Sequence, residues 1–103
     1  MNTTIGELAS LVRSKNAGPF WITLDIFLPN AAAYDRAATS PVTDVDVIAH
    51  RYAVEPSGVR VFLLPDLQAI KISFPRPTLQ GARDDRDMHA GQQYVPVLDL
   101  HVA

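Results

Sequence analysis

The sequence contains no cysteine, and this absence removes disulfide frameworks, thiolate metal sites and cysteine nucleophiles. It is also short of charge. Asp, Glu, Lys and Arg make up 19% of the residues, below the roughly 25% usual for globular domains, which fits a surface partly covered by a partner. Nine Lys plus Arg stand against eleven Asp plus Glu, a formal net charge of −2. No general attraction toward phosphate polymers follows, and nucleic acid is discounted as a partner. Long apolar runs are missing too. Stretches such as VFLLP at 61–65 fall far below the roughly 20 residues a membrane span requires, and the first residues lack the basic-then-apolar order of a signal peptide. No membrane association and a cytoplasmic location are the expectations.

What is present suffices for one core. A chain of 103 residues is expected to be a single domain over residues 1–103, and domains of this size bury about two-thirds of the surface their unfolded chains expose. Hydrophobic residues make up 48%, an average share, and no repeat or low-complexity segment is visible.

The opening TTIGELASLVRSKN (3–16) reads as a helix. Thr4 and Glu7 have capping-box spacing, Ile5, Leu8, Leu11 and Val12 share a helical face, and Asn16-Ala17-Gly18-Pro19 stops the ladder. In FWITLDIFL (20–28), Phe20, Ile22, Leu24, Ile26 and Leu28 alternate with Trp21, Thr23, Asp25 and Phe27, predicting a strand with one buried face and a second, mixed face under partial cover. Asn30 is placed to cap AAAYDRAATS, and Thr43 or Asp44 to cap VDVIAHRYAV, giving two short helices in one crossover layer. GVRVFLLP and LQAIKISFP, separated by Pro65-Asp66, read as a hairpin, with Lys71 and Ser73 opposing Ile70, Ile72 and Phe74. Pro75 to Gln93 reads as a long loop, and YVPVLDLHV (94–102) as a last strand. The predicted class is α+β: a ferredoxin-like antiparallel sheet with helices on one face, an extra N-terminal helix and a long loop before the last strand.

Several polar groups are candidates for chemistry, each with a plain structural counterpart. Arg13, Lys15 and Asn16 suit a helix terminus, or a turn that presents charge and backbone N–H groups to a carboxylate or phosphate. Arg76, stiffened between Pro75 and Pro77, is either a rigid strand stop or an aimed guanidinium. Lys71 sits among apolar residues, either snorkelling at the sheet rim or held as a partly buried ammonium. Gln92 and Gln93 are placed to hydrogen-bond a ligand or to cap a sheet edge. Asp84, Asp85, Asp87 and His89 have metal-ligand chemistry, but the interleaved Arg83 and Arg86 read as a solvated, self-neutralising run. No metal or cofactor is expected. His50 and His101 read as surface or half-buried residues, and no Ser-His-Asp arrangement is discernible.

With LVRSKNAGPFWITLDIFL, AIKISFPRP and GQQYVPVLDL in view, nearly the whole chain resembles a bacterial family of small domains of unknown function, related to the ferredoxin-fold domain of AtuA-type acyclic terpene utilisation proteins. Ser14, Lys15, Asn16, Gly18, Pro19, Asp25, Lys71, Pro75, Arg76, Pro77, Gln92, Gln93 and Asp99 stand where that pattern has them. Tyr94 replaces the His expected after the glutamine pair, so an imidazole mechanism at that position is not supported. The resemblance implies a ferredoxin-like fold and pairing with a larger AtuA-like subunit in terpenoid, acyl-CoA or organic-acid catabolism, and it supplies no catalytic residue.

The resulting expectation is an accessory, interaction subunit in which Lys15, Asn16, Lys71, Arg76, Gln92 and Gln93 contribute to a site for a carboxylate or CoA-type ligand. The alternative is a small lyase or hydratase acting on a carboxylate or acyl-CoA substrate, with Lys71 as base and Arg76 orienting the substrate. A homo-oligomer formed by the sheet pairing with itself is a third expectation.

Overall fold

The computed structural model describes residues 3–18, 20–75, 98 and 100–102. In chain order the elements are β1 (Thr3–Thr4), α1 (Ile5–Leu8), β2 (Leu11–Asn16), β3 (Trp21–Phe27), α2 (Ala31–Ala38), α3 (Val45–Tyr52), β4 (Arg60–Leu64), β5 (Ala69–Pro75) and β6 (His101–Val102). Short 3-10 turns lie at Pro41–Thr43, Pro56–Gly58 and Pro65–Leu67. The fold is α+β.

Four strands form the main sheet in the order β2-β3-β5-β4, every neighbouring pair antiparallel. Because β3 and β4 both run antiparallel to β5, they are parallel to each other with β5 between them. This is the split β-α-β unit of a ferredoxin-like arrangement, with α2 and α3 as the crossover. Among the described residues, β2 and β4 are the two edges.

The period-2 pattern of β3 explains where the core lies. Ile22, Leu24 and Ile26 face Phe74, Ile72 and Ile70 across the β3–β5 ladder, and all six are at most 1% exposed. The helices cover this side. Asn30 caps α2 by accepting from the Ala33 N–H at 2.8 Å, and Asp44 caps α3 by accepting from the Asp46 N–H at 2.9 Å. Ala33, Tyr34 and Ala37 of α2, with Ile48, Ala49 and Tyr52 of α3, then turn their apolar stripes into the same cluster. Tyr52 stacks on Phe74 with ring centroids 4.5 Å apart, and burial pushes its hydroxyl pKa well above the usual tyrosine value.

Two expectations need correction. The capping box exists: Thr4 donates from its backbone and its hydroxyl to Glu7, both at 3.0 Å, and these bonds hold the Glu7 carboxyl below its usual pKa. The helix it starts ends at Leu8, however, and Leu11–Asn16 is a strand paired with β3. Lys15 and Asn16 therefore sit in a sheet edge, not at a helix terminus. A one-turn helix has few hydrogen bonds to offer, whereas the β3 edge offers a full ladder, so the tertiary pairing wins. Ser10 secures the switch, its backbone N–H and its hydroxyl both donating to the Phe27 carbonyl at 2.8 and 3.0 Å.

The other correction concerns the last strand. His101–Val102 pairs antiparallel with Thr3–Thr4 in a separate two-stranded sheet, rather than extending the main one. Ile5, Leu100 and Val102 bring that small sheet into the shared core. Residues 94–97, and the predicted loop beyond Pro75, lie outside the described residues. Among the described residues no helix is long and apolar enough to cross a membrane.

Candidate functional site

The register of the sheet sorts its polar residues onto the face away from the helices. Arg13, Asp25, Lys71 and Phe62 lie opposite one another in one row across β2, β3, β5 and β4, and Lys15, Thr23, Ser73 and Arg60 in the next. Leu11, Phe27, Ala69 and Leu64 form a third, apolar row. Four cations against one carboxylate leave these three rows with a charge of +3, although the whole chain carries −2. The positive potential is thus concentrated on one side.

The centre of this face is well packed although it bears polar groups. Asp25 and Thr23 are 7% and 5% exposed. Arg13 lies over Asp25, with Nε 3.5 Å from Oδ2, and its guanidinium stands 5.2 Å from the centre of the Phe27 ring. The Thr23 and Ser73 hydroxyls meet at 3.4 Å. Arg60 is drawn to the other end, 5.7 Å above the Trp21 ring. Among the described residues neither Lys15 nor Lys71 has an ion-pair partner, and Asp25, opposite Lys71 in register, pairs with Arg13.

Two adjoining depressions open on this face and share Lys71 and Leu64. One, of about 410 Å³, adds Thr23, Phe62 and Ser73. The other, of about 270 Å³, brings in Arg13, Lys15, Asp25, Phe27, Leu67 and Ala69. Exposed Phe62 and Leu67 line the pair, and exposed Leu11 lies opposite Phe27 in the apolar row. Ammonium groups beside hydroxyls, with apolar walls, suit an anion that carries an apolar body.

Of the residues expected at a site, Lys15 and Lys71 share one face, two strands apart with β3 between them, and line the same depression. Asn16 falls on the opposite face of β2, across from Ile22. Arg76, Gln92 and Gln93 lie outside the described residues, as do Asp84, Asp85, Asp87 and His89. The lyase reading therefore rests on Lys71 alone. Among the described residues no three His, Cys, Asp or Glu side chains gather in a metal-binding arrangement. His50 lines a separate, shallow depression on α3 with Asp46. Sequence reasoning placed Ser73 on the face of Lys71 but did not join Arg13, Asp25 and Thr23 to them. The available signal was the parity of Thr23 and Asp25 in β3, but the partner row on β2 was hidden by the helical reading of residues 11–16.

The family described as a domain of unknown function, DUF4387, matches residues 5–101, nearly the whole chain. No curated protein and no solved structure matches.

Proposed function

We propose that this chain, which belongs to the DUF4387 family of domains of unknown function, is an accessory binding subunit whose open sheet face takes a carboxylate or CoA-type anion. The larger partner proposed is an AtuA-like subunit, in terpenoid, acyl-CoA or organic-acid catabolism. The observation that carries the reading is the +3 face on a −2 chain, where Asp25 is already matched by Arg13 and Lys15 and Lys71 remain to meet an incoming anion. Charge-assisted hydrogen bonds from two ammonium groups hold the anionic head, and Phe62, Leu64 and Leu67 accept an apolar tail.

The test is calorimetric titration of the full chain with octanoate and, separately, coenzyme A. Lys71→Ala weakens the preferred probe by about tenfold, the loss of one charge-assisted contact. Arg36→Ala, an exposed cation on α2, leaves affinity unchanged. Absence of binding for both probes, or equal affinity for Lys71→Ala and the native chain, refutes the reading.

A further inference from the structure

Among the described residues, the two edges of the main sheet differ in how they are guarded. Natural edge strands discourage pairing with charge, proline or bulges. β2 follows this rule, since Arg13 and Lys15 alternate along it. β4 does not: its sequence is Arg-Val-Phe-Leu-Leu, uninterrupted by proline, and it pairs with β5 residue for residue without a bulge. Its one charge, Arg60, is held over Trp21.

The apolar cover also stops short of this edge. Ile70 is fully buried, yet Leu63, directly opposite it on the same face, is 49% exposed. On the other face Phe62 is 46% exposed. Two large apolar side chains, adjacent in sequence and pointing to opposite faces, therefore flank one backbone edge. A helix or a flat surface can cover only one of them. A strand added in the plane of the sheet covers both and also engages the outward backbone groups.

We propose that β4 pairs antiparallel with β4 of a second copy of this chain, about a two-fold axis through Phe62, to give one continuous eight-stranded sheet. This register uses all five residues of the strand. Phe62 meets its own counterpart on the open face, and Val61 and Leu63 meet each other on the helix-covered face, so like chemistry faces like on both sides. Each Arg60 falls opposite Leu64 of the other copy, which separates the two guanidinium groups. Pairing of β4 with the partner's β2 is disfavoured by the charges on β2 and is head-to-tail, which extends without closing. The β4–β4 contact is isologous and closes at two. The proposal rests on the edge strand and not on anion binding, although Phe62 also lines the depression of about 410 Å³.

Because the chain has no cysteine, a single introduced one reports the register directly. Sedimentation of the native chain over a concentration series is expected to show a monomer–dimer equilibrium. Leu63→Lys is expected to be monomeric throughout, with an unchanged circular dichroism spectrum. Under mild oxidation Phe62→Cys is expected to form a disulfide-linked dimer, because the axis brings residue 62 within bridging distance of its mate, whereas Leu11→Cys on the opposite edge forms no disulfide-linked dimer. A native chain that remains monomeric, a dimer that survives Leu63→Lys, or cross-linking through residue 11 instead of residue 62 overturns the proposal.

Discussion

Ile72 and Ser73 are neighbours in β5, yet they serve opposite sides of the sheet. Ile72 is fully buried among Leu24, Val61 and the helices, while Ser73 lies on the cationic face beside Lys71 and Thr23. The same alternation divides β3, where Ile22, Leu24 and Ile26 hold the fold while Thr23 and Asp25 face the depressions. One face carries the apolar core and the other presents polar and charged groups, separated by a single residue step along each strand.

The largest effect that tests this division comes from the adjacent pair. Ile72→Ala is expected to cost about 2–5 kcal/mol, through lost burial and a residual cavity, a large share of a typical domain's stability. Ser73→Ala should cost about 0.5 kcal/mol or less, since its long contact with Thr23 is half-exposed. Urea unfolding of both variants measures the contrast, and a reversed order breaks it.

Another test uses the buried phenol. The Tyr52 hydroxyl has its folded pKa raised by burial above the ordinary 10.0. The neutral form is thus favoured in the folded state. Its contribution is complete below pH 10.0 and declines as the pH climbs from there through the folded value, because the unfolded state loses its proton first. Tyr52→Phe is expected to flatten that alkaline decline in unfolding experiments. An equally steep fall in the variant assigns the alkaline loss to other groups.

A modest effect on a second residue of the polar face is the most discriminating. Asp25→Asn should lower stability by only about 1 kcal/mol, the loss of a partly exposed ion pair with Arg13. The same change removes the one carboxylate in these rows among the described residues, and is expected to tighten octanoate binding. A variant that is less stable and yet binds more strongly separates the two faces by function. Weaker binding joins them again.

Much of this arrangement is legible in the sequence because the central strands are regular. The alternation at 20–28, the hairpin around Pro65-Asp66 and the caps at Asn30 and Asp44 each rest on a local signal that the fold preserves. Residues 11–16 mislead for an equally local reason. Leu8, Leu11 and Val12 satisfy a helical spacing, and only the unpaired edge of β3, invisible at short range, turns the segment into a strand. That error hides half of the candidate site, because Arg13 and Lys15 reach Asp25 and Lys71 only through strand pairing. The pairing of β1 with β6 is out of reach for the same cause, since two-residue strands have no periodicity to detect.

That small clasp governs when the molecule can finish folding. The Ile5 N–H donates to the Leu100 carbonyl and the Gly6 N–H to the Leu98 carbonyl, each at 2.9 Å, so α1 is seated by a segment far away in sequence and cannot take its final place before that segment does. A variant truncated before Leu98 leaves the Ile5 and Gly6 N–H groups without these two acceptors.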